Sequence, residues 1–227
     1  MTGIVVVSHS RQIAEGTVAL ARQMAPTTRL VAVGGTDDGG IGTSFDAVSA
    51  ALATAGAGGA EVVVLCDLGS AILTTETALD FLDDADRARV VIADAPIVEG
   101  TVAAAVAAET GGDLAAVAEA ARSATGVAAP HADERLLRGA DAVERSAVIV
   151  NASGLHARPA AELVKRAAAW QSDVTLDGVD AKSLIRIMGL GLPAGSTVHL
   201  MATGPDAEAA VDDLVAAIES GFGEDWV

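Results

Sequence analysis

Gly3-Ile4-Val5-Val6-Val7-Ser8-His9-Ser10 stands almost at the start of the chain, and its texture decides the fold of the first half of the protein. Four aliphatic residues in an unbroken run, without polar alternation, read as a strand buried on both faces. The polar turn at Ser8-His9-Ser10 then leads into a segment of helical length, so the run is the first strand of a βα unit. The same texture recurs downstream. Apolar runs at residues 29–33, 61–65 and 90–93 alternate with helical segments at 10–24, 44–55, 73–82, 100–109 and 113–123. That alternation predicts an α/β domain over residues 1–123, a mostly parallel open sheet with helices on both faces.

In such a sheet ligands bind beyond the carboxyl ends of the strands, so the residues there are the functional candidates. His9 follows the first strand. Backbone amides of its turn and the positive end of the next helix favour an incoming phosphoryl group, and Ser10 is placed to cap that helix. The second strand runs into Gly34-Gly35-Thr36-Asp37-Asp38-Gly39-Gly40-Ile41-Gly42-Thr43-Ser44, where glycines such as Gly42, with Thr43 beside it, let amides approach an anion. No Gly-Lys-Ser/Thr follows, so the loop is not a Walker A motif. The third strand ends in Asp67-Leu68-Gly69-Ser70-Ala71. Asp67 either fixes the tautomer of His9 or caps the following helix, and Ser70 stands next to it. Ala95-Pro96-Ile97-Val98-Glu99-Gly100 ends the fourth strand, and four such loops are expected to make one site.

Between residues 124 and 145 the strand–helix rhythm lapses, and this stretch is expected to be a linker. A second domain, residues 146–227, reads as a strand at 147–151, a helix at 157–169, a hairpin at 174–180 turning on Asp177-Gly178, a short helix at 183–188, a strand at 197–202 and a helix at 206–218. The order βαββαβα predicts a small α+β open-faced sandwich. Within it, Gly154-Leu155-His156-Ala157-Arg158-Pro159-Ala160 is the most specific string in the chain. Proline is tolerated only in the first turn of a helix, so the helix begins near His156 and exposes its first amides there, that of Ala157 included. Arg158 adds a cation for phosphate oxygens. The plainer alternative makes His156 a cap and Arg158 a surface ion-pair partner. Ser183 reads first as the cap of the short helix. His131 and His199 carry no neighbouring motif.

Composition narrows the function further. Of 227 residues only 2% are aromatic, and the formal net charge is −17. Few stacking platforms and a strongly acidic surface argue against nucleic acid or anionic lipid as the main partner. Cys66 is the only cysteine, so an intramolecular disulfide is ruled out and a reducing setting fits. No apolar run reaches membrane-spanning length, and the expectation is a soluble cytoplasmic protein without a leader peptide.

The strand-end loops at residues 7–10, 34–44, 67–71 and 95–100 together resemble the mannose-class IIA domain of the phosphoenolpyruvate phosphotransferase system. They are most similar to the phosphoryl-donor subunit family of the dihydroxyacetone kinases that this system drives. The string 154–160, with residues 180–195, resembles HPr, the histidine phosphocarrier of the same system. The resemblance implies a phosphotransferase subunit in which His9 and His156 are phosphohistidine intermediates and Asp67 supports His9. It further implies that Ser183 aligns with a serine phosphorylated in some HPr proteins.

Its implied partners are enzyme I, a general HPr, and the kinase subunits DhaL and DhaK. The implied route runs from phosphoenolpyruvate through enzyme I to His156, then His9, then ADP on DhaL. No metal, cofactor or nucleotide of the chain's own is expected, enzyme I acts in trans, and the first domain forms a homodimer. A mannose-class sugar permease or an indirect regulatory role are the alternatives.

Overall fold

The computed structural model describes residues 2–125 and 142–223, and the chain divides into two compact units. Residues 126–141, with His131 and most of the expected linker, lie outside the described residues.

The first unit runs β1 (Gly3–Ser8), α1 (Arg11–Arg22), β2 (Leu30–Gly34), α2 (Phe45–Ala55), β3 (Val62–Cys66), α3 (Gly69–Asp80), α4 (Asp84–Arg87), β4 (Val90–Ala93), α5 (Ile97–Glu109) and α6 (Leu114–Arg122). Its sheet has the order β2-β1-β3-β4, and every pairing is parallel. After β2 the chain crosses back over β1 to form β3. Because parallel crossovers are right-handed, this reversal puts α1 on one face and α2 and α3 on the other. The helices α5 and α6 return to the α1 face. All six residues of β1 are buried, as a central strand covered on both sides requires. Val5 and Val7 pack with Val48, Leu52, Ala71 and Ala78 from α2 and α3.

Two helices begin earlier than their sequence pattern predicts. α3 starts at Gly69 rather than near 73, and α5 at Ile97 rather than 100, because Pro96 serves as an N-cap instead of prolonging a turn. Gly100 then lies within α5, where an added Cβ would stand 2.8 Å from both Leu65 Cδ2 and Ala95 Cβ. Its small size lets the helix approach the sheet. The short α4 has no counterpart among the predicted elements.

Glu109, at the end of α5, ties that helix to the segment before β2. Its carboxylate accepts from the backbone amides of Thr27 and Thr28 and from both hydroxyls, Thr28 Oγ1 at 2.7 Å. Partial burial pushes the carboxyl up, but the hydrogen bonds from Thr28 and Thr27 outweigh it and hold it below its ordinary range. A depressed carboxyl contributes stability above its unfolded value, and that contribution is lost as pH falls through the folded one. Glu109→Gln is therefore expected to destabilise this unit by about 1–2 kcal/mol at neutral pH. Denaturant unfolding should show the gap between the two proteins narrowing as the buffer is taken into acid.

The second unit runs β5 (Val143–Val148), α7 (Ala157–Ala168), β6 (Asp173–Leu176), β7 (Val179–Asp180), α8 (Leu184–Gly189), β8 (Thr197–Thr203) and α9 (Ala207–Glu219). Its sheet is antiparallel in the order β5-β8-β6-β7. The βαββαβα order holds, and Asp177 and Gly178 take positive φ of 46° and 80°, the tight two-residue hairpin turn that Asp-Gly favours.

Both ends of the first strand differ from the expected 147–151, since β5 is Val143–Val148. β5 begins at Val143, inside the stretch expected to be linker, and its charged residues belong to an edge strand. Arg145 reaches Asp212 of α9 at 3.3 Å, while Glu144 and Ser146 occupy the sheet's other face. A strand paired on one side, with one polar face, does not show as an apolar run.

Candidate phosphoryl-transfer sites

His9 follows β1 directly, two residues before α1, and Asp67 leaves β3 directly beside it, at the point where the strand order reverses. His9 Nδ1 lies 2.9 Å from Asp67 Oδ1, and the His9 amide donates to Oδ2 at 2.8 Å. Leu68 N donates to Oδ1, and the Ser8 hydroxyl to Oδ2, each at 2.8 Å.

Two oxygens thus receive four donors, about the full acceptor capacity of a carboxylate. Partial burial raises the Asp67 carboxyl, but bonds from His9, Ser8 and Leu68 win and hold it below its ordinary range. With the carboxylate ionised and acting only as an acceptor, Nδ1 must carry the ring proton, which leaves the lone pair on Nε2. Nε2 faces the Ser70 hydroxyl at 2.5 Å, and Ser70 lies in the first turn of α3, where the helix's positive end favours an anion. Asp67 does not occupy the N-cap of α3; Leu68 does.

The glycine-rich loop reaches the site in a different manner from an open anion cradle. The Gly42 amide donates to the His9 carbonyl at 2.9 Å, so it anchors the histidine turn instead of offering a free donor. Gly34 allows close approach: a Cβ there would stand 2.6 Å from Ser8 O. Thr43 bonds the Thr74 hydroxyl at 2.8 Å, and Thr74 in turn donates to the Ser70 carbonyl. Ser10 sits at the N-cap of α1 with no side-chain cap bond; its own amide donates to Ser8 Oγ.

The fourth loop, residues 94–100, makes no hydrogen bond to His9 or Asp67 among the described residues. Ser8, which in the sequence shows only as the polar end of a strand, is fully buried and bonded on both sides. Cys66 is no rival nucleophile, since burial pushes its thiol up to about 11.

In the second unit His156 is the N-cap of α7, with extended φ and ψ, and its side chain is exposed. Ala157 and Arg158 are the first two helical residues and Pro159 the third, where a missing N–H costs nothing. The loop before it is pinned from two directions. Leu155 N donates to Leu192 O at 2.9 Å, and Asn151 Nδ2 to Gly221 O at 2.9 Å.

Gly154 has φ of 70°, and a Cβ on it would stand 2.3 Å from Leu192 O and 2.9 Å from Pro193 Cα. Gly154→Ala is therefore expected to destabilise this unit by about 3 kcal/mol or more, from left-handed strain plus a backbone clash. Chemical denaturation followed through Trp170 reads that loss.

Ser183 is the N-cap of α8, but its hydroxyl makes no cap bond. His199 lies on the sheet with Nδ1 3.3 Å from Ser146 Oγ.

Residues 3–118 match the family model described as the PTS system fructose IIA component, and residues 143–220 that of the PTS HPr component phosphorylation site. The PEP-dependent dihydroxyacetone kinase phosphoryl donor subunit DhaM of Klebsiella michiganensis is 36% identical over 99% of this chain and 51% of its own length. The Escherichia coli DhaM is 35% identical over the same shares. A Listeria innocua DhaM is 41% identical over 47% of this chain and 85% of its own length. A crystal structure of a protein of unknown function, 32% identical, superposes with a TM-score of 0.51 over 55% of this chain and 95% of that one.

The fold and these matches define a phosphotransferase-system protein that joins a IIA unit to an HPr unit. The chain belongs to the DhaM family, and it spans about half the length of the relatives that it matches from end to end. No helix among the described residues is long and apolar enough to cross a membrane.

Proposed function

We propose that this chain is a phosphohistidine relay. A phosphoryl group passes from phosphoenolpyruvate through enzyme I to His156, then to His9, and then to ADP held by a DhaL subunit, whose ATP phosphorylates dihydroxyacetone on DhaK. The observation that carries this reading is the saturated Asp67 carboxylate, which presents His9 with its proton on Nδ1 and its lone pair on Nε2. A histidine held in that tautomer is a ready nucleophile toward phosphorus and needs no separate base.

At transfer, the Nε2 lone pair forms a P–N bond as the bond between phosphorus and the His156 nitrogen breaks. Nδ1–H stays on the ring, and the positive charge that develops there is met by Asp67. The Ser70 hydroxyl then donates to a phosphoryl oxygen. At His156 the first amides of α7 and the Arg158 guanidinium hold the phosphoryl oxygens. Both steps need positioning and charge stabilisation more than acid–base work. The names of the relatives support the substrate and the partner subunits. Cytoplasmic residence and a homodimer through the IIA unit complete the reading.

The test supplies the wild-type chain and a His9→Ala variant with enzyme I and phosphoenolpyruvate, adds DhaL–ADP, and measures ATP. Wild type is expected to form ATP and His9→Ala to form none. Equal ATP from both would remove His9 from the route.

A further inference from the structure

Ser8 is the last residue of β1, fully buried, and every other residue of that strand apart from Gly3 is aliphatic. A hydroxyl at such a position is costly unless its proton and lone pairs are used. Here they are. The proton goes to Asp67 Oδ2 at 2.8 Å, and a lone pair receives the Ser10 amide at 3.1 Å. Residues 8 to 10 and Asp67 therefore form a closed set of hydrogen bonds around His9. Without the Ser8 proton, Oδ2 keeps only the His9 amide, and the carboxylate can rotate away from Nδ1.

We infer that Ser8 is a positioning residue for His9. Its hydroxyl holds the Asp67 carboxylate in the orientation that keeps the proton on Nδ1 and the lone pair on Nε2. The inference rests on the reading of His9 as a phosphoryl acceptor. Ser8 itself neither gains nor loses a proton during transfer; it acts only through Asp67. This separates it from Ser70, which faces the reacting nitrogen directly.

The test uses the full chain as wild type, Ser8→Ala, Ser8→Cys and Ser8→Thr, labelled with ¹⁵N. Long-range ¹H–¹⁵N correlation reads which His9 nitrogen carries the proton. Rapid quench with enzyme I and phosphoenolpyruvate reads phosphoryl uptake at His9, and thermal unfolding checks the fold. Wild type is expected to show the Nδ1–H tautomer. Ser8→Ala is expected to show mixed tautomers and uptake slowed about ten- to a hundredfold, the scale of a small misplacement at a reacting centre. Ser8→Cys fills the same space with a weaker donor and carries the same expectation if alanine leaves the unit unfolded. Ser8→Thr, which keeps the hydroxyl, is expected to restore both readouts.

A folded Ser8→Ala or Ser8→Cys protein with the wild-type tautomer and rate overturns the inference. So does a folded Ser8→Thr protein as impaired as Ser8→Ala. The tautomer measurement needs no phosphoryl donor, so it can fail while His9 still accepts phosphate. A wild-type protein whose His9 never takes up a phosphoryl group instead removes the functional reading beneath it.

Discussion

Replacing Asp67 with asparagine is expected to slow phosphoryl uptake at His9 by about 10³- to 10⁴-fold, the scale seen when a histidine is held in the wrong tautomer. Asparagine has one carbonyl oxygen and one NH₂ where the carboxylate has two acceptors. If its NH₂ takes the place of Oδ1, it donates to His9 Nδ1, the ring proton moves to Nε2, and the nucleophilic lone pair is lost. If the NH₂ takes the place of Oδ2, Nδ1–H survives, but the negative charge that should meet the phosphorylated ring is gone. Either placement also sets the NH₂ against a fixed backbone donor, Leu68 N in the first case and His9 N in the second. Rapid quench with a charged donor measures the effect, and a circular dichroism melt separates it from unfolding.

The second large effect concerns His156. A His156→Ala protein is expected to leave His9 uncharged when enzyme I and phosphoenolpyruvate are supplied, because in the proposed route enzyme I charges the exposed helix-start histidine. Adding a His9→Ala protein, which still carries His156, is expected to restore charging of His9 in trans. Each variant lacks one station of the proposed route, and transfer between stations needs only that the exposed His156 reach the partly buried His9. Restored ATP formation on DhaL–ADP in the mixture, against none with either variant alone, is the result to look for. The comparison keeps both folds present throughout, so loss of signal reports chemistry and not missing protein.

Much of the fold and of the site is legible in the sequence. Ile4 to Val7 form an unbroken apolar run because β1 is central and covered on both faces, and such a strand declares itself. Asp177-Gly178 and the string around His156 are equally plain, since a tight hairpin and a proline-bearing helix start each demand particular residue types. The pairing of His9 with Asp67 follows from the parallel sheet, because adjacent strand ends lie side by side.

Other features depend on tertiary context that no local pattern carries. Ser8 looks like the polar end of a strand until Asp67 arrives from a distant position in the chain. Gly42 looks like an open anion-binding glycine until the His9 carbonyl takes its amide. The charged start of β5 looks like linker because an edge strand with a polar face lacks an apolar run. Pro96 reads as a turn residue, yet here it stands at the N-cap of α5, and Gly100, read as the start of that helix, lies inside it, where its role is close packing on Leu65.

The direction of transfer is the central claim, and a single-turnover time course tests it most directly. Wild-type chain is mixed with limiting enzyme I and labelled phosphoenolpyruvate, quenched at intervals, and cleaved so that label on each unit is counted separately. Label is expected on His156 first and on His9 after a lag, and addition of DhaL–ADP should drain His9 before His156. Label arriving on His9 without a lag, or at the wild-type rate in the His156→Ala protein, would contradict the relay.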